Sequence, residues 1–149
     1  KLVHELISDL RIKQKMKIIS VKEPFSRFNE LLSANCFIAY LADQDARHHG
    51  VFVDFLGRPA STVRGPAIFA IRNNCPVVAT FLIREGYGRH RAVVEEPLWR
   101  NPDLEGREAV EDLTQRFTDV LERYVREIPG HYFWMHRRWK TAPPARRKG

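Results

Sequence analysis

The chain has 149 residues, 44% of them hydrophobic and 29% charged, which suits one globular domain with its own core and excludes a disordered or fibrous chain. A net charge of +7 and an isoelectric point near 9.8 favour an anionic partner, whether phospholipid headgroups, an acidic carrier protein or nucleic acid. No apolar run approaches the roughly 20 residues of a spanning helix, and no signal peptide is recognisable.

Residues 1–13 set Leu2, Val3, Leu6, Ile7 and Leu10 at helical spacing, the pattern of an amphipathic helix. This helix opens without a cap or lead-in, as though cut from something longer. His4 and Asp9 formally spell H-x-x-x-x-D. Five positions apart on a helix, the two point about 140° away from one another, so His4 reads as an ordinary helix residue. Residues 16–21 (MKIISV) predict a short strand. Glu23 and Pro24 then open a helix over residues 24–34, with proline in its first turn and Phe25, Phe28, Leu31 and Leu32 facing inward.

The chain is organised around residues 36–62, CFIAYLADQDARHHGVFVDFLGRPAST. The apolar run 36–42 predicts a buried strand that stops at Asp43-Gln44-Asp45, and residues 51–56 predict a second strand. Carboxylates at the junction of strand and loop occupy a usual address for chemistry in an α/β sheet. Capping and solvating a strand end is the commoner use of such residues, and spacing alone favours it. Arg47, His48 and His49 form a basic loop. Adjacent histidines with no further ligand nearby predict exposure and no metal site. Cys36 and Cys75 lack metal-ligand spacing and read as buried free thiols, which suits a reducing compartment.

Residues 57–65 (GRPASTVRG) read as a turn-rich passage whose small residues let backbone approach a ligand or a neighbouring element. A short helix, PAIFAIRNN, follows from Pro66. Residues 76–84 predict a further buried strand, Gly86-Tyr87-Gly88 a turn, and residues 89–95 an antiparallel return strand. Residues 99–106 are polar and irregular. Residues 107–128 form the longest helix, with Val110, Leu113, Phe117, Val120, Leu121, Tyr124, Val125 and Ile128 in one core stripe. Glu108, Glu111 and Asp112 lie early in it and Arg123 and Arg126 late, matching the helix dipole. Pro129-Gly130 ends this helix. HYFWMHRRW then mixes aromatics with cations, and the last residues, PPARRKG (143–149), read as disordered, with 145–149 a basic tail. The order of elements predicts an α/β layered domain, with a mixed β-sheet flanked by helices.

Two separated strings carry a family resemblance. The first joins A-D-Q-D to G-V-F-V-x-F-x-G-R-P-A-S-T and G-P-A-x-x-A-I-R, and the second is the closing P-G-H-Y-F-W-M-H-R-R-W-K-T-x-P. Together they resemble the bacterial lipid A biosynthesis (lauroyl/myristoyl-type) acyltransferase family, within the lysophospholipid acyltransferase superfamily. The likeness runs from near Lys1 to about Pro144. It implies that residues 1–144 are the C-terminal part of a glycerolipid-acyltransferase-like fold. The family's first half, with its catalytic histidine, would then lie outside this sequence, and the isolated chain is expected to show no turnover.

The resemblance implies transfer of a fatty acyl chain from an acyl carrier protein or coenzyme A thioester to a hydroxyl of a membrane glycolipid precursor of lipid A type. No cofactor is implied beyond that thioester co-substrate. Asp43 corresponds to the acidic partner of the absent histidine. Arg58, Arg64, Arg137, Arg138 and Lys140 become candidates to hold substrate phosphates or the acidic carrier, although single arginines more often belong to a solvated surface. An anionic membrane surface is the implied partner, at the cytoplasmic face of the inner membrane, and no nucleic acid is expected. A non-catalytic basic module that binds anionic lipid or nucleic acid would explain the charge equally well, but would leave both strings unaccounted for.

Overall fold

The computed structural model describes residues 2–20 and 23–144. The chain divides into two compact units, Lys1–Ile38 and Ala39–Gly149. Val21 and the 145–149 tail lie outside the described residues.

The first unit holds α1 (Leu2–Lys13) and α2 (Phe25–Ser33). Both helices stand where the sequence places them. The apolar residues of α1 named above are exposed, whereas α2 buries Phe28 and Leu31 and leaves Phe25 exposed. Pro24 is the N-cap of α2, one position before the expected first turn, in extended conformation (φ −64°, ψ 151°). The helix ends where Asn35 turns to φ 55°. There the Cys36 N–H reaches back to Leu31 O at 2.9 Å and the Asn35 N–H to Leu32 O at 3.0 Å. These bonds satisfy carbonyls that the helix end would otherwise leave open.

Two expected strands do not form. Residues 16–20 pair with nothing among the described strands, and Met16 and Ile18 are exposed. Residues 36–42 show the period-two alternation of an extended chain, with Cys36, Ile38, Tyr40 and Ala42 half-buried and Phe37, Ala39 and Leu41 exposed. They too join no ladder. A strand is defined by its partner's N–H and C=O groups, and apolar composition supplies no partner. Cys36 and Cys75 are free but half-buried, not fully enclosed.

In the second unit β1 (Val51–Phe55) and β2 (Arg58–Thr62) make an antiparallel hairpin. Its two-residue turn, Leu56-Gly57, has φ of 57° and 76°, the doubly positive geometry of a type I′ turn. Leucine is a strained choice there. Its side chain packs on the cluster of Phe55, Ala60 and Val125, and that burial offsets the strain. The passage expected to be irregular is therefore a strand as far as Thr62. Pro59 is tolerated because β2 is an edge strand.

After α3 (Gly65–Asn73) come β3 (Thr80–Gly86) and β4 (Arg89–Val94), a second antiparallel hairpin with a bulge between Arg84 and Gly86. The run expected to be a buried strand from Pro76 starts at Thr80 and buries only Ile83. A two-stranded sheet has one packed face, and here that face is seated through Phe81, stacked on Tyr124 at 3.9 Å. The helix-and-strand α/β class is as expected. In place of one mixed sheet its strands form two separate antiparallel hairpins, because a tight turn joins β1 to β2 and β3 to β4 while α3 separates the pairs.

The long helix α4 (Gly106–Glu127) is the backbone of this unit. Leu113 and Phe117 meet Ala67 and Ala70 of α3, while Val125 meets Phe55 and Ala60 of the first hairpin. A lone hairpin is marginal in water, and α4 supports this one with side chains as well as apolar surface. The Gln115 amide accepts from the Asp54 N–H at 2.8 Å and donates to Asp54 O at 3.0 Å, as a neighbouring strand would. Glu122 accepts from the Leu56 N–H at 2.6 Å, inside the strained turn.

That bond, followed by the Arg126 guanidinium, holds the Glu122 carboxyl below the ordinary glutamate value of 4.5. A carboxyl depressed on folding stabilises the protein above its unfolded pKa, and the stabilisation fades as pH falls through the folded value. Glu122→Gln is therefore expected to lose about 1 kcal/mol at neutral pH. The difference from the parent should vanish in acid, as read by urea unfolding across a pH series.

Candidate functional site

The D-Q-D loop links the end of the extended run to β1. Its backbone is fixed to β2 by two hydrogen bonds, from the Ala46 N–H to Ser61 O at 3.1 Å and from Ser61 Oγ to Arg47 O at 2.6 Å. Arg47 sits at φ 55°, and the short 3-10 turn Arg47–His49 carries His48 and His49 outward. Gly50 allows this close approach. A Cβ there would stand 2.7 Å from Thr62 O and 2.8 Å from Ala46 Cβ, and closer still to Ser61 Oγ. Side chains do not fit.

The second fixation comes from the far end of the chain. After the 3-10 turn Pro129–His131, residues 132–141 fold back over the loop. Tyr132 donates its hydroxyl to Asp43 O at 2.9 Å. The Asp45 N–H donates to His136 Nε2 at 2.8 Å, which requires that nitrogen to be unprotonated. Thr141 Oγ1 donates to Asp45 Oδ2 at 2.9 Å. The two strings that carry the family resemblance, about 90 positions apart in sequence, thus form one hydrogen-bonded knot.

Arg138 sits at its centre, 1% exposed. It donates to Ser61 O at 2.6 Å and to Thr62 Oγ1, and its guanidinium lies 5.4 Å from the Phe55 ring centroid. Burial lowers the Arg138 pKa, while Tyr132, Asp45 and Asp43 act in the opposite direction. Burial likewise raises the Tyr132 phenol, so it stays a protonated donor at neutral pH. Trp139 stacks on Phe55 at 5.7 Å and lies under the Arg58 guanidinium at 5.0 Å. Arg138 Nε, Asp45 Oδ1 and Trp139 Nε1 are buried with no hydrogen-bond partner among the described residues.

The two carboxylates of the loop therefore differ. Asp45 is engaged through both its N–H and Oδ2. Asp43 is half-buried and gives only its backbone carbonyl to the knot. Its carboxylate makes no hydrogen bond or ion pair among the described residues. Both residues are half-buried, and Asp45 Oδ1 is covered.

The cations singled out from sequence separate in the same way. Arg58 is exposed over Trp139, and Arg64 is exposed at the N-cap of α3. Arg137 and Lys140 are exposed beside the knot, whereas Arg138 points inward and is committed to Ser61 and Thr62. Sequence reasoning passed over His136 and Thr141, and it gave Ser61 and Thr62 no bonding role. Their membership of the two strings was the available signal, but the pairing between the strings is visible only in three dimensions.

Residues 1–141 match the family profile described as bacterial lipid A biosynthesis acyltransferase. A search of curated proteins found no match. No described helix is long and apolar enough to cross a membrane.

Removing a buried cation strands the carbonyl and hydroxyl that it served, at about 1–3 kcal/mol for each buried group left unsatisfied. Arg138→Ala is expected to lose stability on that scale. Arg138→Lys should recover only part of it, because a single ammonium cannot reproduce the two-armed geometry. Thermal and urea unfolding of both variants measures this.

Proposed function

The chain belongs to the bacterial lipid A biosynthesis acyltransferase family, and from that premise we propose that these residues help move a fatty acyl chain from a carrier thioester to a hydroxyl of a membrane glycolipid precursor. The observation that carries this reading is the state of Asp43. Its backbone is clamped by Tyr132 and its neighbour Asp45 is held by His136 and Thr141, while its own carboxylate is left unpaired. A carboxylate positioned in this way is suited to orient a general base.

The chemistry needs such a group. An alcohol is a poor nucleophile at neutral pH, so a histidine, supplied from outside these residues, takes its proton as the oxygen attacks the thioester carbonyl. The tetrahedral intermediate collapses to the ester and expels the thiolate, which recovers the proton from the imidazolium. Asp43 holds the imidazole in the correct tautomer and stabilises its charged form, the role an acidic partner plays in other acyl-transfer sites. Acyl carrier protein or coenzyme A supplies the thioester, and no further cofactor takes part.

Arg58, Arg64, Arg137 and Lys140 are the exposed cations suited to acceptor phosphates or an acidic carrier. Arg138 is committed to Ser61 and Thr62 at the end of β2. The setting we assign is the cytoplasmic face of the inner membrane. Lipid and carrier suit this surface better than nucleic acid, because Tyr132 and Trp139 pack on Phe55, which leaves Phe133 and Trp134 as the exposed aromatics of the closing string.

The test is acyl transfer from acyl carrier protein and coenzyme A thioesters to a lipid A precursor, in the longest natural polypeptide that holds these residues. Asp43→Asn is expected to lower kcat by about 10²–10⁴-fold while leaving the unfolding midpoint unchanged. Parent-like turnover in that variant would remove Asp43 from the reaction.

A further inference from the structure

The β3–β4 hairpin has one face whose use the fold leaves open. Cross-strand register pairs Phe81 with Val93 and Ile83 with Arg91 on the packed side, and Thr80 with Val94, Leu82 with Ala92 and Arg84 with His90 on the other. All six residues of that second set are exposed. Leu82 and Val94 keep 69% and 68% of their surface accessible, and Tyr87 projects fully from the tip. Apolar side chains thus share a face with Arg84 and His90, and Arg89 stands beside the tip tyrosine.

The charge of this hairpin is one-sided. Its acid, Glu85, is paired with Arg91 at 2.7 Å, and Glu95 just beyond the strand is taken up by Arg123 and Tyr124 of α4. The Glu95 carboxyl is lowered first by the Tyr124 hydroxyl and then by Arg123, which keeps it ionised and committed there. Arg84 and Arg89 form no ion pair among the described residues. Glu96, two positions past β4, is exposed and in no ion pair among the described residues, so with Arg84 and Arg89 the hairpin keeps a positive balance and presents aliphatic surface bordered by cations, with an aromatic at its end. Nucleic acid would leave Leu82 and Val94 without a use, since aliphatic side chains do not stack on bases. An anionic bilayer accommodates all three kinds of side chain: aliphatics at the acyl boundary, arginines on lipid phosphates and tyrosine at headgroup level.

We propose that the outer face of the β3–β4 hairpin docks the protein on an anionic lipid bilayer through Leu82, Val94, Tyr87, Arg84 and Arg89. This deepens the acyl-transfer reading by naming the surface that meets the lipid. Because the experiment reads vesicle binding without turnover, the two proposals fail separately.

The full chain is to be co-sedimented with vesicles of phosphatidylcholine alone and of phosphatidylcholine mixed with phosphatidylglycerol, at physiological and at high salt. Binding is expected to the mixed vesicles, to weaken with salt, and to be slight on phosphatidylcholine. Arg84→Gln with Arg89→Gln should lower partition onto mixed vesicles by about twenty-five-fold, at about fivefold per arginine near such a surface. Leu82→Ser with Val94→Ser should lower it by about tenfold, with unfolding unchanged because both sites are exposed. Variants that partition like the parent would overturn the proposal. So would vesicle-free self-association abolished by Leu82→Ser with Val94→Ser, which assigns the face to a second copy. A single-stranded oligonucleotide that binds more tightly than the mixed vesicles, and loses that binding in the arginine variant, would also overturn it.

Discussion

A buried guanidinium must be hydrogen-bonded or the fold does not tolerate it. In this protein both terminal nitrogens of Arg138 meet that demand at the end of β2, through Ser61 O and Thr62 Oγ1, while its Nε has no partner among the described residues. Everything around it follows from the need to enclose the charge. The Phe55 ring lies against it and Trp139 stacks in turn on Phe55, while Ala60 and Ser61 beside it are fully buried. The chain on either side of Arg138 is thereby drawn over the D-Q-D loop, bringing Tyr132, His136 and Thr141 within hydrogen-bonding distance. A buried ion is weak evidence for stability, and its clearest effect here is to select one arrangement of loop and tail.

The same unit shows how small sheets are made to stand. Neither hairpin has a second layer of strands, so α4 supplies what a neighbouring sheet would. Its apolar stripe meets α3 and the first hairpin, Gln115 pairs with the open edge at Asp54, and Glu122 satisfies the turn at Leu56. Tyr124 does the corresponding work for the second hairpin, by stacking on Phe81 and bonding Glu95. Three polar side chains of one helix thus anchor two otherwise marginal elements. In consequence the outer face of the second hairpin is left without a packing role.

The division of labour between Asp43 and Asp45 has the same origin. Two carboxylates two positions apart in a loop are chemically equivalent until something distinguishes them. Thr141 and His136 engage Asp45, and the phenol that clamps Asp43 takes its carbonyl and leaves the carboxylate open. The backbone of Asp43 is thus held while its carboxylate stays outside the hydrogen-bond network of the described residues.

The sequence by itself determined the helices, because a 3.6-residue stripe is a local property. Residues 107–128 predict α4 to within a residue at each end, and of the expected core stripe Leu113, Phe117 and Val125 are buried while Val110, Val120, Leu121, Tyr124 and Ile128 are half-buried. It also determined the second hairpin's turn, where Gly86 and Gly88 flank Tyr87, and the family, through two motifs long enough to be specific. It did not determine which apolar runs become strands. Residues 16–20 and 36–42 have the composition without the partner, while 58–62 has turn-like composition and gains strand geometry from β1. Nor could it say that Arg138, one of five cations that look alike in a string, turns inward while Arg58, Arg64, Arg137 and Lys140 stay out. Pairing and burial are relations between distant segments, so only the tertiary structure decided them.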